Sequence, residues 1–299
     1  MPASHSPLLS AGLSDLTIVI PTLSNNFNSL WLETMHSLLL NSANIFLVVP
    51  LGTIPRVQYL TPFLGEFLHI LHSPKVGQVA QRVYGFQNVK TPYVLQLDDD
   101  VEISLDTIIK MLEIVRSIDF PLALAPVIDD SSYVKAGSLP KFIIGLKNLV
   151  YFFSLLPIPG SVAISAFPVP HQKSVLDNVV ATEWLPGCCV LHSTANLVLD
   201  SFFPFSGKAY CEDLIHSHLL LSRGISLAIC TSLRIYTRVT SYKILSFSDF
   251  YRYLVGDVQA RLYFSGVTRR NPFLTFPAYT LIIFSYFFHR LLPFVSRRL

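Results

Sequence analysis

Three consecutive carboxylates, Asp98, Asp99 and Asp100, directly follow the apolar run YVLQL at 93–97. Like charges at the end of a strand destabilise one another unless a cation neutralises them. Carboxylate oxygens, completed by water and phosphate oxygens, are the ligands that Mg²⁺ or Mn²⁺ takes. Because residues i and i+2 of an extended segment point the same way, we expect Asp98 and Asp100 to share a metal and Asp99 to point elsewhere. A solvated acidic loop ahead of a helix is the alternative.

A second pair of carboxylates, Glu212 and Asp213, begins the segment EDLIHSHLLLSRGISL. Gly224 stands where a helix would end, so both carboxylates lie at the N-terminus of a predicted helix. Helix capping and interaction with the helix dipole are one explanation. The other is a general base within reach of a hydroxyl group, and since adjacent residues diverge on a helix, only one would face a site.

Two histidines on the same predicted helix, His216 and His218, are two residues apart and so point to nearly opposite sides. Leu214, His218 and Leu221 share one face. We therefore predict that His216 is a surface residue and His218 a core residue, and that they do not bind a metal together.

Short apolar runs alternate with helical stretches through the first half of the chain. The predicted strands are 16–20, 45–49, 67–71, 93–97 and 121–127, and the predicted helices are about 28–41, 77–89 and 104–117, with Ser104 as N-cap. This alternation predicts an α/β sandwich with a mostly parallel sheet. Such sheets bind ligands at the carboxyl ends of their strands.

The composition excludes a disordered chain. Of the 299 residues, 51% are hydrophobic and 14% charged, against about 25% charged in ordinary soluble domains. From Leu214 onward there are 11 basic and 2 acidic residues. A cationic, apolar last third is expected for contact with anionic lipid headgroups. No nucleic-acid-reading motif is present, so nucleic acid is not an expected partner.

Two segments lack charged residues altogether. Residues 148–172 are interrupted by Pro157, Pro159 and Gly160, which predicts an apolar hairpin that either packs on the protein or enters a membrane. Residues 271–289 contain an apolar stretch of about 16 residues, about 24 Å as a helix and short of a hydrocarbon core of about 30 Å. We expect interfacial attachment ahead of a membrane span, with a buried core helix as the alternative.

These features divide the chain into two regions. We predict a catalytic domain over residues 1–240, with an apolar insertion at about 142–172, and a basic, apolar membrane-association region over 241–299. The first 16 residues show no basic segment followed by an apolar one, so no signal peptide is predicted. The catalytic part is accordingly expected at the cytoplasmic side of a membrane.

Four sequence segments, taken in order, resemble one known family. They are LTIVIPT (16–22), KVGQVAQRVYGFQNVKTPYVLQLDDD (75–100), WLPGCCVLH (184–192) and CEDLIHSHLLLSRGISL (211–227). Together they are similar to the family 2 inverting glycosyltransferases of the GT-A fold, which move a sugar from a nucleotide sugar onto a hydroxyl. The ordered set is the specific signal, since the DxD motif alone is common.

The resemblance implies a nucleotide-sugar donor and assigns residues to it. Pro21 and Thr22 would lie at the nucleotide with Arg82 near it, and Asp98 and Asp99 would contact the donor. For Asp99 the resemblance thus implies a contact with the donor, whereas the alternation of side chains in an extended segment predicts that it points elsewhere.

The resemblance also assigns the metal and the catalytic groups. Asp98 and Asp100 would flank Mg²⁺ or Mn²⁺ at the diphosphate, and Asp213, beside Glu212, would deprotonate the acceptor hydroxyl. A cation there neutralises the charge that develops on the leaving diphosphate.

The chain departs from the family pattern at two places. The segment after the second strand is Pro50-Leu51-Gly52 where the family usually has a nucleobase-reading Asp. Where the family often has a metal-binding His, this chain has RIYTRVT, and Arg234 or Arg238 would contact the diphosphate directly.

We therefore predict a metal-dependent inverting glycosyltransferase. The absent QxxRW motif favours transfer of one sugar, and the apolar composition favours a polyprenyl-linked or glycolipid acceptor. A catalytically silent, membrane-bound member of the same fold is the alternative, and a sugar nucleotidyltransferase ranks last because no early glycine-rich loop is present.

Overall fold

The computed structural model describes residues 13–23, 27, 29–55, 57–129, 158–171, 178–205, 208–237 and 246–295. The strands are β1 (Leu16–Pro21), β2 (Asn44–Pro50), β3 (Leu68–Ser73), β4 (Tyr93–Leu97), β5 (Val101–Glu102), β6 (Leu122–Ile128), β7 (Val179–Ala181), β8 (Cys189–Ser193) and β9 (Ser226–Thr237). The α-helices are α1 (Ser29–Leu40), α2 (Gln78–Gln87), α3 (Leu105–Arg116), α4 (Glu212–Ser222), α5 (Phe247–Val267) and α6 (Thr275–Val295).

Within these ranges the nine strands form one mixed sheet, ordered β3-β2-β1-β4-β8-β6-β9-β5, with β7 also paired to β9. The strands β1, β2, β3, β4, β6 and β9 run in one direction. The strand β8 lies between β4 and β6 in the middle of the sheet and runs antiparallel to both. The predicted α/β fold with a mostly parallel sheet is confirmed.

The sheet is buried on both faces, as the apolar runs require. In β1, Ile18 and Ile20 belong to the core formed with α1 and α3. The intervening Val19 points to the other face, where it packs with Phe86 of α2. The alternation of side chains along a strand thus produces three layers, helix, sheet and helix.

Two predicted helix ends are confirmed. Ser104 caps α3, because its hydroxyl accepts a hydrogen bond from the backbone N–H of Thr107 at 3.1 Å. Gly224 follows α4 with φ of 77°, the left-handed conformation that glycine adopts at low cost.

The described part of the uncharged segment 148–172 packs on the protein. Residues 158–171 fold back on themselves through a bridge between Val162 and Pro168. Arg270 donates from Nη1 to the carbonyl oxygens of Val162 and Ala163 at 2.6 and 3.0 Å. The hairpin therefore lies between the sheet domain and the C-terminal helices.

The C-terminal region consists of α5 and α6. Among the described residues, no helix is both long and apolar enough to cross a membrane. The predicted boundary at residue 240 falls in 238–245, outside the described residues.

Candidate active site

A cleft of about 350 Å³ opens at the carboxyl ends of β1 and β4, where ligands of such sheets bind. Its lining residues are Pro21, Thr22, Leu23, Gln78, Gln81, Asp98, Asp99 and Asp100. Five of the residues predicted to bind donor or metal are thus brought together: Pro21, Thr22, Asp98, Asp99 and Asp100.

The expectation that Asp99 points away from the other two carboxylates is wrong. The strand β4 ends at Leu97, and Asp99 and Asp100 form a turn rather than an extended segment. Asp99 accepts a hydrogen bond from the hydroxyl of Thr22 and faces the cleft.

The floor of the cleft depends on Gln81, which the sequence reasoning missed. This buried side chain donates from Nε2 to the carbonyl oxygens of Thr22 at 3.0 Å and Val48 at 2.6 Å. The sequence could have indicated this role, because Gln81 falls on the side of the predicted helix that faces the sheet. A buried amide group there requires hydrogen-bond partners. Gln81 thereby fixes the segment after β1 against β2.

Arg82 lies beneath the cleft, not on its surface. Its side chain is 0% exposed, and its Nη2 atom is 3.0 Å from Oδ1 of Asp98. Its Nη1 atom donates to both carboxylate oxygens of Glu212 at 2.9 Å. Burial lowers the pKa of Arg82, but the charges of Glu212 and Asp98 outweigh it and raise the pKa above its ordinary value. The second oxygen of Asp98 accepts from Gln78 at 2.9 Å.

The segment Gly187-Cys188 lies between the two groups of carboxylates. The carbonyl oxygen of Gly187 accepts from Arg82 at 3.3 Å and from Gln96. The carbonyl oxygen of Cys188 accepts from the backbone N–H of Asp98 at 2.9 Å. A Cβ atom at position 187 would stand 2.8 Å from Oε1 of Glu212. Only glycine fits this approach without displacement.

Glu212 and Asp213 begin α4, as predicted, and differ in surroundings. Burial raises the pKa of Glu212, while the charge of Arg82 lowers it. Burial, and then the charge of Glu212, raises the pKa of Asp213 from 3.8 to about 7. A carboxylate with this pKa suits proton transfer near neutral pH.

Carboxylates from the cleft and from the start of α4 both influence the thiol of Cys188. The pKa of Cys188 is raised first by burial and then by neighbouring negative groups, which include Asp98, Asp100 and Asp213. The metal-site candidates and the candidate base therefore flank one short segment of chain.

The assignment of the two histidines is wrong. His216 is buried, stacked on Phe202 at 5.0 Å and 5.6 Å from the ring of His192. His218 is half-buried and Leu221 is exposed. The helix presents Leu214, Ile215 and His216 to the protein, because Glu212 must turn inward to reach Arg82.

Arg234 lies in a separate cleft of about 600 Å³ between α3 and β9. Its Nη1 atom is 4.0 Å from Oδ2 of Asp129. Arg238 is outside the described residues. No group of three or more His, Cys, Asp or Glu side chains suited to a metal occurs in the described part of the chain.

The chain is similar in sequence to one protein family and in fold to solved structures of other proteins. Residues 17–155 match the model of Glycosyl transferase family 2. The fold is similar to the crystal structure of GalNAc-T7 with UDP, GalNAc and Mn²⁺, at 14% identity and a TM-score of 0.58, over 84% of this chain and 47% of that one. It is also similar to S. aureus TarS 1-349, at 14% identity and a TM-score of 0.47, over 82% of this chain and 64% of that one.

This chain thus spans about half the length of the GalNAc-T7 chain. No curated protein sequence matches it.

The sheet order, the cleft at its carboxyl edge and the likeness to GalNAc-T7 define an α/β protein with a GT-A-type fold. The segment similar to Glycosyl transferase family 2, residues 17–155, contains all the residues that line the cleft.

Proposed function

We propose that the chain is a glycosyltransferase that moves one sugar from a nucleotide-sugar donor to an acceptor hydroxyl, with a divalent cation and with inversion at the anomeric carbon. The observation that carries the proposal is the pairing of Arg82 with both Asp98 and Glu212. It connects the carboxylates of the cleft with the first turn of α4, where Asp213 lies.

The chemistry follows from these positions. The acceptor oxygen forms a bond to the anomeric carbon as the bond from that carbon to the diphosphate oxygen breaks, and the bonding electrons leave with the diphosphate. Asp213 accepts the proton of the attacking hydroxyl, which suits a carboxylate with a pKa of about 7. Glu212, fully engaged with Arg82, has a positioning role.

The donor set fits a hard cation such as Mg²⁺ or Mn²⁺. These ions bind one or two carboxylates and take their remaining ligands from water and substrate phosphates. Asp100 is the most exposed of the three cleft carboxylates, and both oxygens of Asp98 already accept hydrogen bonds. We place the cation on Asp100 with Asp98 beside it, where it would neutralise charge on the departing diphosphate.

The comparison with GalNAc-T7 supports a nucleoside diphosphate and a metal as ligands, since that structure contains UDP, GalNAc and Mn²⁺. Pro21 and Thr22 line the same cleft, and we propose that they contact the nucleotide.

Thermal unfolding with a panel of nucleoside diphosphates, with and without Mn²⁺, tests the proposal. A ligand of the folded state at 100 times its Kd stabilises by about 2.7 kcal/mol. We expect one diphosphate to raise Tm only with metal, and Asp100→Ala to abolish the shift while Asp106→Ala, on the exposed face of α3, retains it. If no diphosphate raises Tm, the catalytically silent alternative replaces this proposal.

We also propose that the C-terminal helices attach the enzyme to the cytoplasmic face of an anionic membrane, where the acceptor is lipid-linked. Large apolar side chains are exposed there, including Phe273 at 75% and Phe276 at 50%. Arg252 and Arg269 in the same C-terminal region are exposed as well, and Arg269 is four residues before Phe273 in the chain. Apolar side chains next to basic ones bind the headgroup region of anionic bilayers.

Flotation with phosphatidylserine vesicles and with phosphatidylcholine vesicles tests the membrane proposal. We expect binding to the anionic vesicles and a loss of at least about ten-fold in Phe273→Ser/Phe276→Ser, because each buried CH₂ contributes about 0.8 kcal/mol. Leu51→Ser, at an exposed leucine after β2, is the control. Equal binding by both variants would contradict the proposal.

A further inference from the structure

The helices α5 and α6 are joined through a buried ion pair. Asp257 is buried, and its two oxygens pair with Nε and Nη2 of Arg261 at 2.9 and 3.2 Å. Tyr279 of α6 donates its hydroxyl to Oδ2 of Asp257 at 2.6 Å. Burying two charges is costly unless their hydrogen bonds are satisfied, so this arrangement fixes the position of Arg261 closely.

Arg261 also attaches α5 to the hairpin at 158–171. Its Nη1 atom donates to the carbonyl oxygen of Ala166 at 2.8 Å. Its guanidinium lies over the ring of Phe167, 4.0 Å from the centroid, which adds a cation–π attraction. All three guanidinium nitrogens of Arg261 thus donate hydrogen bonds within the protein, and one flat face of the group lies on an aromatic ring.

The same part of α5 packs against the residue pair that leads into the active site. A Cβ atom on Gly256 would lie 2.8 Å from two ring carbons of Tyr210. Tyr253 meets the same ring edge to face, with centroids 5.4 Å apart. Cys211, next in the chain, has φ of 59°, a left-handed conformation that is strained for a residue with a side chain. Packing from α5 holds this strained entrance to α4.

The charge of Arg261 reaches α4 as well. It lowers the pKa of Cys211 and of Asp213, against the larger effect of burial on both groups. Packing and charge thus act on the same turn of the chain.

We propose that Arg261 is a positioning residue for the carboxylate of Asp213, and that α5 supports the entrance to α4 rather than forming a separate appendage. The inference rests on the proposed role of Asp213 as base. Asp257 and Tyr279 hold Arg261, and Arg261 holds α5 against the hairpin. In that position Gly256 and Tyr253 of α5 pack on Tyr210 at the entrance to α4, whose first turn contains Asp213.

Two measurements on the full chain, neither of which needs a substrate, test this inference. The titration of Asp213 is followed by ¹³C-carboxyl NMR, assigned with Asp213→Asn, and amide exchange is followed over residues 210–214. We expect Arg261→Gln to raise the titration midpoint by about half a pH unit or more, since a positive neighbour is lost. Arg261→Lys, which keeps the charge, is expected to restore the midpoint.

Both variants are expected to speed exchange over 210–214 several-fold, because neither keeps the full set of Arg261 contacts. Arg252→Gln removes an exposed cation from the same helix and is expected to change neither quantity. Unchanged midpoint and exchange in Arg261→Gln would overturn the inference.

If Arg261→Gln fails to fold, Tyr279→Phe tests the inference instead. It keeps both charges and removes one hydrogen bond to Asp257, so exchange over 210–214 is expected to rise with an unaltered midpoint. Wild-type exchange in both Tyr279→Phe and Arg261→Lys overturns the inference. Failure of the proposed function is observed separately, as loss of nucleoside diphosphate stabilisation in the wild type.

Discussion

Arg82 on α2 donates to both carboxylate oxygens of Glu212 on α4, with each N–O distance 2.9 Å and 130 residues of chain between them. Both of these bonds come from Nη1, while Nη2 donates to Asp98 and to the carbonyl oxygen of Gly187. A lysine, with its single nitrogen, cannot reproduce this arrangement of two donor nitrogens. The pair holds the first turn of α4, which contains Asp213, against α2.

Removing Arg82 is expected to destabilise the fold strongly. Arg82→Met leaves two partly or fully buried carboxylates without their cation, a change that costs about 3 to 5 kcal/mol. Urea denaturation measures the loss. Arg116→Met is the matched control, because its 3.2 Å pair with Asp15 is solvent-exposed and is worth at most about 1 kcal/mol. Equal losses in the two variants would contradict a structural role for Arg82.

Activity is expected to increase with pH through neutrality, because Asp213, with a pKa of about 7, must be ionised to accept a proton. Asp213→Asn is expected to lower kcat by about 10²- to 10⁴-fold. Turnover of the nucleotide sugar identified by thermal unfolding measures both effects, and Asp106→Asn is the control. A flat profile between pH 6 and pH 8, about one unit on each side of the expected midpoint, would exclude Asp213 as the titrating base.

The same carboxyl is expected to link stability to pH. Its pKa rises from 3.8 to about 7 on folding, so the folded state binds the proton more tightly. Its contribution to stability is full below the unfolded value and is lost as pH rises toward the folded value. Asp213→Asn, which cannot ionise, is therefore expected to be more stable than the wild type above neutral pH and similar near pH 4, as measured by Tm against pH.

Substitution of Gly187 is expected to damage the site more than the fold. In Gly187→Ala the new methyl group meets Oε1 of Glu212 at 2.8 Å and Cβ of Asp213 at 3.4 Å, and overpacking of this kind costs about 1 to 3 kcal/mol. Residual protein that folds is expected to show lowered kcat. Gly266→Ala, with no atom within 4 Å of the added carbon, is the control and is expected to retain wild-type kcat.

Substitutions of Asp98 and Asp100 are expected to have different effects, the first mainly on stability and the second mainly on ligand binding. Asp98 is hydrogen-bonded to Arg82 and Gln78, so Asp98→Asn is expected to cost about 1 to 3 kcal/mol in urea denaturation. Asp100 is exposed, and Asp100→Asn is expected to cost less while weakening metal-dependent nucleotide binding. Reversal of this order would place the metal on Asp98 instead.

The strands and helices of the first half were predictable because their signals are local. The run 93–97 is β4 to the residue, and Ser104 caps α3. Local signals failed where a distant partner decides, as in α4, whose contact with Arg82 turns His216 inward and leaves Leu221 exposed. The turn at Asp99 was missed because the strand was assumed to continue past Leu97.

The sequence by itself determined the fold class, the two clusters of carboxylates and the edge of the sheet where the cleft lies, since apolar periodicity and strand ends are properties of short segments. Only the tertiary structure decided that Arg82 lies beneath the cleft and that β8 enters the sheet between β4 and β6. It also decided that α5 packs against Tyr210. These contacts join residues far apart in the chain, and their geometry depends on how whole elements pack, which no short pattern of residues records.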